Sequence, residues 1–383
     1  MEPSVSSADN SSNLPDSGLI VPRPVQQVVL ETLILVVMWT ISVLFNGLVC
    51  LVIYKSRRMQ STTNYFVVSL AVSDLAMAVC NMPFILGRLL IHSWVFGSFL
   101  CKSVRFIQYA LPGSAMYVLV AICIDRFYTI IYPLSFKVTR GTAKRMILSS
   151  WIIAAAIAGF CFYFFEVFED TSAKRWFCPT YIPVLDWAGI FYTICLVLLT
   201  FIFPVFLTLF GYFKLFGYIW KTGSPGPTFT RTMNPVPRAK VKMVKMLMLV
   251  STVTVVAFLP FYVTQVWYCA TNPLGVEPTI FVVATWAMFS TSVAKPLIYL
   301  RYNSNFRRGC KEVFCMSTMK CYRSNTYAIT TATAFGKKNF VGVMESTAST
   351  DVKVDSPVKA FNRAPLVEKS AWPLSSAMPS TYL

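Results

Sequence analysis

Apolar residues in this chain fall into long unbroken runs, not the alternating pattern of strands or the one-sided stripes of soluble helices. A bilayer core of about 30 Å is crossed by roughly 20 apolar residues rising about 1.5 Å each. Seven runs meet that requirement: Val29–Tyr54, Asn64–Ile91, Ser98–Tyr132, Met146–Phe168, Trp187–Tyr218, Val241–Cys269 and Pro278–Leu300. The third, fifth and sixth exceed the minimum, which predicts tilt or extension into water. An odd number of spans sets the two ends of the chain on opposite sides. The predicted fold is an all-α membrane protein, a seven-transmembrane helix bundle. Its segments are an N-terminal tail over 1–28, a bundle over 29–302, a short amphipathic cytoplasmic helix over 303–315 and a polar, Ser/Thr-rich tail over 316–383, expected to be flexible.

Composition narrows the class further. Of the 383 residues 56% are hydrophobic and 13% charged, about half the charge of ordinary soluble domains at roughly 25%. Aromatics at 15% exclude a disordered chain. The single histidine, His92, excludes a multi-histidine metal site within the chain. No G-x-S-x-G elbow accompanies it, so neither a catalytic triad nor a cofactor is expected, and the chain does not read as an enzyme.

The net charge of +18 would suggest nucleic acid in a soluble protein. Here the charge sorts by side. With the N-terminus outside, cytoplasmic segments hold 27 Lys and Arg against six outside, and Lys295 remains inside the membrane. That bias orients the bundle with its N-terminus extracellular, and the cytoplasmic face meets anionic inner-leaflet lipid. Nucleic acid drops out as a partner. Residues 1–27 contain no apolar run resembling a cleavable leader, so the first span is expected to serve as its own insertion signal. The sequon Asn10-Ser11-Ser12 lies on the glycosylatable side. No repeat relates the two halves, which argues against an inverted-repeat transporter.

Each span carries a short signature. These are Asn46-Gly47, Leu70-Ala71-Val72-Ser73-Asp74-Leu75, Cys101 with Asp125-Arg126-Phe127 and then Pro133-Leu134, Trp151, Pro204 with Tyr212, Phe258-Leu259-Pro260, and Pro296-Leu297-Ile298-Tyr299. Phe306-Arg307-Arg308 opens the amphipathic helix. One signature per span, in order, over roughly residues 29 to 315, resembles the rhodopsin-like, or class A, G-protein-coupled receptors. The resemblance implies a plasma-membrane receptor that passes an extracellular signal to a heterotrimeric G protein, with arrestin as a further partner. It brings no ligand with it.

The resemblance also implies roles. Cys101 and Cys178 would form a disulfide pinning the second outer loop over the bundle, in an oxidising compartment. Asp125 would hold Arg126 in the resting state, with Pro133, Leu134, Tyr212 and Tyr299 completing the cytoplasmic switch. Two departures stand out there. Phe127 replaces the usual Tyr, and the start of the sixth span, Lys240-Val241-Lys242, offers no acid to clamp Arg126. High basal activity is the expectation. Phe258 replaces the usual toggle Trp of the sixth span.

Asp74 and Lys295 are the deepest ionisable residues, and an intramembrane charge calls for a named partner. In the family the counterpart of Asp74 helps bind sodium, and the residue before the span-seven proline is Asn or Asp. Lys295 stands there instead, so an ion pair and lost sodium sensitivity are expected. A retinal-bearing lysine would match Phe289, six residues nearer the outside and about 9 Å away. An ion channel or transporter using Asp74 and Lys295 as a relay is the alternative reading.

The outer pocket would draw on Phe84, Gln108, Tyr109, Phe261, Tyr262, Gln265, Thr285 and Phe289. Gln108 stands where amine receptors carry an Asp, so an unknown ligand of peptide type is favoured over a biogenic amine. In the tail, Cys310, Cys315 and Cys321 are palmitoylation candidates. Thr330, Thr331, Ser346, Thr347, Ser349 and Thr350 are candidate phosphosites for arrestin recruitment. The ending Thr381-Tyr382-Leu383 has the Ser/Thr-x-hydrophobic form that PDZ domains bind by strand addition.

Overall fold

The structure is a computed structural model and describes residues 24–56, 59, 61–132, 138–170, 174–182, 187–223, 237–271 and 278–314. Among the described residues, seven helical segments are long and apolar enough to cross a membrane: Val25–Lys55, Thr62–Ile91, Gly97–Ile131, Arg140–Phe164, Trp187–Thr222, Arg238–Ala270 and Ile280–Tyr302. They match the seven apolar runs, and their ends differ for local reasons. Span one starts a turn ahead of Val29 because Pro24, which needs no N–H donor partner, sits at its N-cap. Span four begins at Arg140, where the Thr139 hydroxyl accepts from the Thr142 amide at 3.2 Å. It ends at Phe164 instead of Phe168, because Phe165 turns extended and Phe168–Asp170 pairs antiparallel with Arg175–Phe177. That ribbon is part of the connection between spans four and five.

Span three is the most enclosed and packs on spans two, four and five. A four-residue repeat of small side chains, Ser150, Ala154 and Ala158, is the buried face of span four, and small residues let membrane helices approach closely. Gly113 meets this face at the proline of span three: a Cβ there would lie 3.3 Å from Thr200 and 3.4 Å from Ala154.

Prolines shape the spans by deleting N–H donors. Span two is interrupted at Asn81, just before Met82-Pro83. Span five widens into a π turn over Leu198–Ile202, ahead of Pro204, and the Tyr117 hydroxyl donates to the Leu199 carbonyl at 2.8 Å. In span seven, Pro296 leaves the Ser292 carbonyl without its helical donor. The Asn46 amide of span one donates to it instead, at 2.8 Å.

After span seven, Asn303 caps a further helix over 304–314 by accepting from the Phe306 amide at 3.0 Å. The helix lies close to span one. A Cβ on Gly309 would come within 2.7 Å of Val52, Phe306 is buried, and the Ser56 hydroxyl donates to Glu312 at 3.1 Å.

Candidate functional site

The candidate residues described fall at three depths. At the outer end, Cys101 and Cys178 are bonded, with Cα atoms 5.8 Å apart, and both are buried. The joined loop is held from other sides too. The Trp94 amide donates to the Trp176 carbonyl at 2.8 Å, and Arg88 reaches the Thr180 hydroxyl at 2.8 Å while lying over the Phe177 ring.

Beneath this cap lies an aromatic and amide cluster. The Tyr109 hydroxyl donates to Gln265 Oε1 at 2.9 Å, linking spans three and six. Tyr109 also packs on Phe261, with ring centroids 5.6 Å apart. Tyr262 stacks on Phe201, and its hydroxyl accepts from Thr200. Gln108 and Thr285 are buried. Phe289 belongs to the same buried cluster as Tyr109 and Phe261, and Phe84 to a second one. Phe84 packs edge-on against Phe96, in the cluster around Trp94 and the disulfide. Phe289 lines the cavity beside Asp74, together with Phe258.

Arg105, not singled out in the sequence, is fully buried, 0% exposed. One helical turn below Cys101, it donates to Gln108 Oε1 and to the Cys178 carbonyl. Its position one turn from the bridging cysteine was the available signal, since the disulfide draws the second outer loop over that turn.

At mid-membrane, Lys295 Nζ donates to Asp74 Oδ1 at 2.8 Å. The cavity beside them measures about 10 Å³ and is walled by Ala115, Pro112, Phe258, Phe289, Thr291 and Ser292 among others. That is the scale of one water molecule at most, since a water needs roughly 10–15 Å³. Ala115 presents a methyl group to this cavity, and Lys295 already neutralises the carboxylate.

At the opposite end from the disulfide, Arg126 is held within its own half of the bundle. Its Nε donates to Asp125 Oδ2 at 3.0 Å, and its Nη2 reaches both Asp125 Oδ2 and the Thr63 hydroxyl of span two. Thr63 also donates to Asp125 at 3.3 Å. Span six contributes the thioether of Met243, 3.4 Å from Arg126 Nη1. Thr63 and Met243 were not singled out from the sequence, because neither is charged. Tyr212 is buried and faces the Ser251 hydroxyl of span six at 3.2 Å. The Tyr299 hydroxyl is buried without a protein partner among the described residues. Cys310 packs partly under the bundle on the 304–314 helix, and burial raises its thiol pKa above the usual value. Pro133, Leu134, Asn10, Cys315, Cys321, Thr381, Leu383 and the six candidate phosphosites lie outside the described residues.

Comparison with known proteins agrees with this architecture. Residues 45–299 match the family described as 7 transmembrane receptor (rhodopsin family). A rat protein named "Probable G-protein coupled receptor 19" is 46% identical over 347 residues, covering 90% of this chain and 82% of that protein. Its human namesake is 46% identical over 349 residues, covering 91% of this chain and 82% of the relative. A Drosophila melanogaster protein named "RYamide receptor" is 30% identical over 283 residues, covering 69% of this chain and 58% of the relative. With seven membrane-spanning helices and a family match across most of its length, this chain belongs to the rhodopsin family of seven-transmembrane, G-protein-coupled receptors.

Proposed function

We propose that this multi-pass plasma-membrane receptor, its N-terminus outside, couples an extracellular peptide to a heterotrimeric G protein with substantial ligand-free activity. The observation that carries the reading is the hold on Arg126. Asp125 and Thr63 secure the guanidinium from spans two and three, while span six supplies a thioether and no acid among the described residues. A charge-assisted hydrogen bond is about twice as strong as a neutral one, and a thioether is a weak acceptor. Span six is therefore loosely tied in the resting state, and its outward movement opens the surface where a G protein docks.

A peptide ligand fits the relative named RYamide receptor and the neutral Gln108, which offers no carboxylate to a ligand ammonium. The basic cytoplasmic face suits both inner-leaflet lipid and the G protein. Finer parts of the reading are glycosylation at Asn10, arrestin recruitment by a phosphorylated tail, acylation at Cys310, Cys315 or Cys321, and a PDZ partner at Thr381 and Leu383. The channel or transporter alternative is not favoured, since the chain belongs to a receptor family.

The test is recruitment of minimal Gα proteins of each subtype to the full chain at the surface of living cells, without added ligand. Wild type recruits at least one subtype and Arg126→Ala recruits none. Wild type recruiting no subtype overturns the reading.

A further inference from the structure

We propose that Arg105, together with Gln108 and Gln265, forms a seat for a carboxylate on the extracellular ligand. The inference rests on the receptor reading and adds the chemistry of the group recognised. It begins with an uncompensated charge. Arg105 is 0% exposed, and both of its acceptors, Gln108 Oε1 and the Cys178 carbonyl at 3.3 Å, are neutral. No carboxylate pairs with it among the described residues, and its Nε has no acceptor there. A buried ion without its counter-ion is costly in proportion to its desolvation, so the site is poised to gain from an anion.

Two further buried groups have the same deficit. Gln108 Nε2 and Gln265 Nε2 also lack acceptors among the described residues. All three orphaned atoms are N–H donors, so what the cluster lacks is a multivalent acceptor. The elements bring them together. Arg105, Gln108 and Tyr109 share one face of span three at helical spacing, and the Tyr109 hydroxyl bridges to Gln265 on span six. An ionised carboxylate supplies two oxygens with about four acceptor sites and matches the guanidinium fork. It displaces Gln108 Oε1 by rotation of that side chain and takes Arg105 Nε, with the freed amide donating alongside. A terminal amide brings a single oxygen and no charge. An ammonium finds no acceptor among these three nitrogens. The ligand class is thus a peptide or acyl amino acid with a free carboxylate beside an apolar side chain, the latter meeting Tyr109 and Phe261.

The test uses the purified full chain in lipid nanodiscs, with N-acetyl-phenylalanine and N-acetyl-phenylalaninamide as paired probes in thermal unfolding. The acid raises the midpoint by about 2 °C at ten times its dissociation constant, and the amide does not. Arg105→Gln abolishes the difference between the probes. Arg105→Lys, which keeps the charge without the fork, retains part of it and guards against a folding artefact in the first variant. Equal effects of acid and amide, no effect of either, or an acid effect that survives Arg105→Gln overturns the proposal. The measurement needs no G protein, so failure of coupling and failure of this site are separately visible.

Discussion

Lys295 and Asp74 face each other across spans seven and two with 2.8 Å between Nζ and Oδ1, the two residues 1% and 7% exposed. A tethered ammonium takes the place that a mobile cation would otherwise occupy beside a buried carboxylate. The roughly water-sized cavity next to it leaves no room for a second cation with its own shell. Ligand-free signalling should therefore be the same in sodium chloride and in choline chloride. Lys295→Asn, which removes the ammonium and opens space, should make signalling fall as sodium rises. A sodium-dependent fall in the wild type would contradict this.

The same pair makes a stability prediction. Removing one partner leaves an unpaired buried charge, a loss of about 3–5 kcal/mol in buried pairs generally. Lys295→Met should lower the unfolding midpoint of the purified receptor strongly, and Asp74→Asn added to it should recover much of the loss. A double-mutant cycle in thermal unfolding measures the coupling. Additive effects of the two substitutions would place the charges outside direct contact.

Span one holds the kink of span seven through Asn46, whose amide reaches the Ser292 carbonyl that Pro296 leaves without a donor. Asn46→Leu should destabilise by about 1–3 kcal/mol, the cost of an unmet buried acceptor. Pro296→Ala restores a backbone N–H for that carbonyl, so it should offset part of the loss in the Asn46→Leu background. Thermal unfolding of the two single variants and the double variant checks this.

Cys310 differs from an exposed tail cysteine. Burial against the bundle raises its thiol pKa, and only the thiolate reacts. At neutral pH it should label slowly with iodoacetamide, with the rate climbing as pH rises through that elevated pKa. Gly309→Val, which puts a side chain where Val52 already lies 2.7 Å from a Cβ position, should push the helix away and speed the labelling. Mass spectrometry of the Cys310 peptide reads both effects.

The membrane class and seven spans are legible in the sequence because a bilayer demands about 20 apolar residues in succession. The partnership of Asp74 and Lys295 is legible for a related reason, since two charges deep in an apolar bundle find each other. Contacts made by neutral groups across long stretches of chain are not. Thr63 reaches Arg126 from span two, and Asn46 finds Ser292 from 246 residues away, with no charge to advertise either. Arg105 is hidden for another reason. Its burial depends on the Cys178 loop closing above it, while its position near the outer end of span three suggests solvent. Phe84 packs in the cluster around Trp94 and the disulfide and not in that of Tyr109, beyond the break of span two at Asn81, which apolar patterning alone does not encode.

The contact between Arg126 and Met243 decides how firmly span six is held in the resting receptor. Met243 Sδ lies 3.4 Å from Arg126 Nη1, so a carboxylate at this position falls within reach of the guanidinium and ties span six to span three. Ligand-free G-protein activation should be measured in cells expressing wild type, Met243→Glu or no receptor, at matched surface expression. Wild-type activity should lie well above mock, with Met243→Glu close to mock. Wild-type activity no higher than mock, or full activity in Met243→Glu, would contradict this.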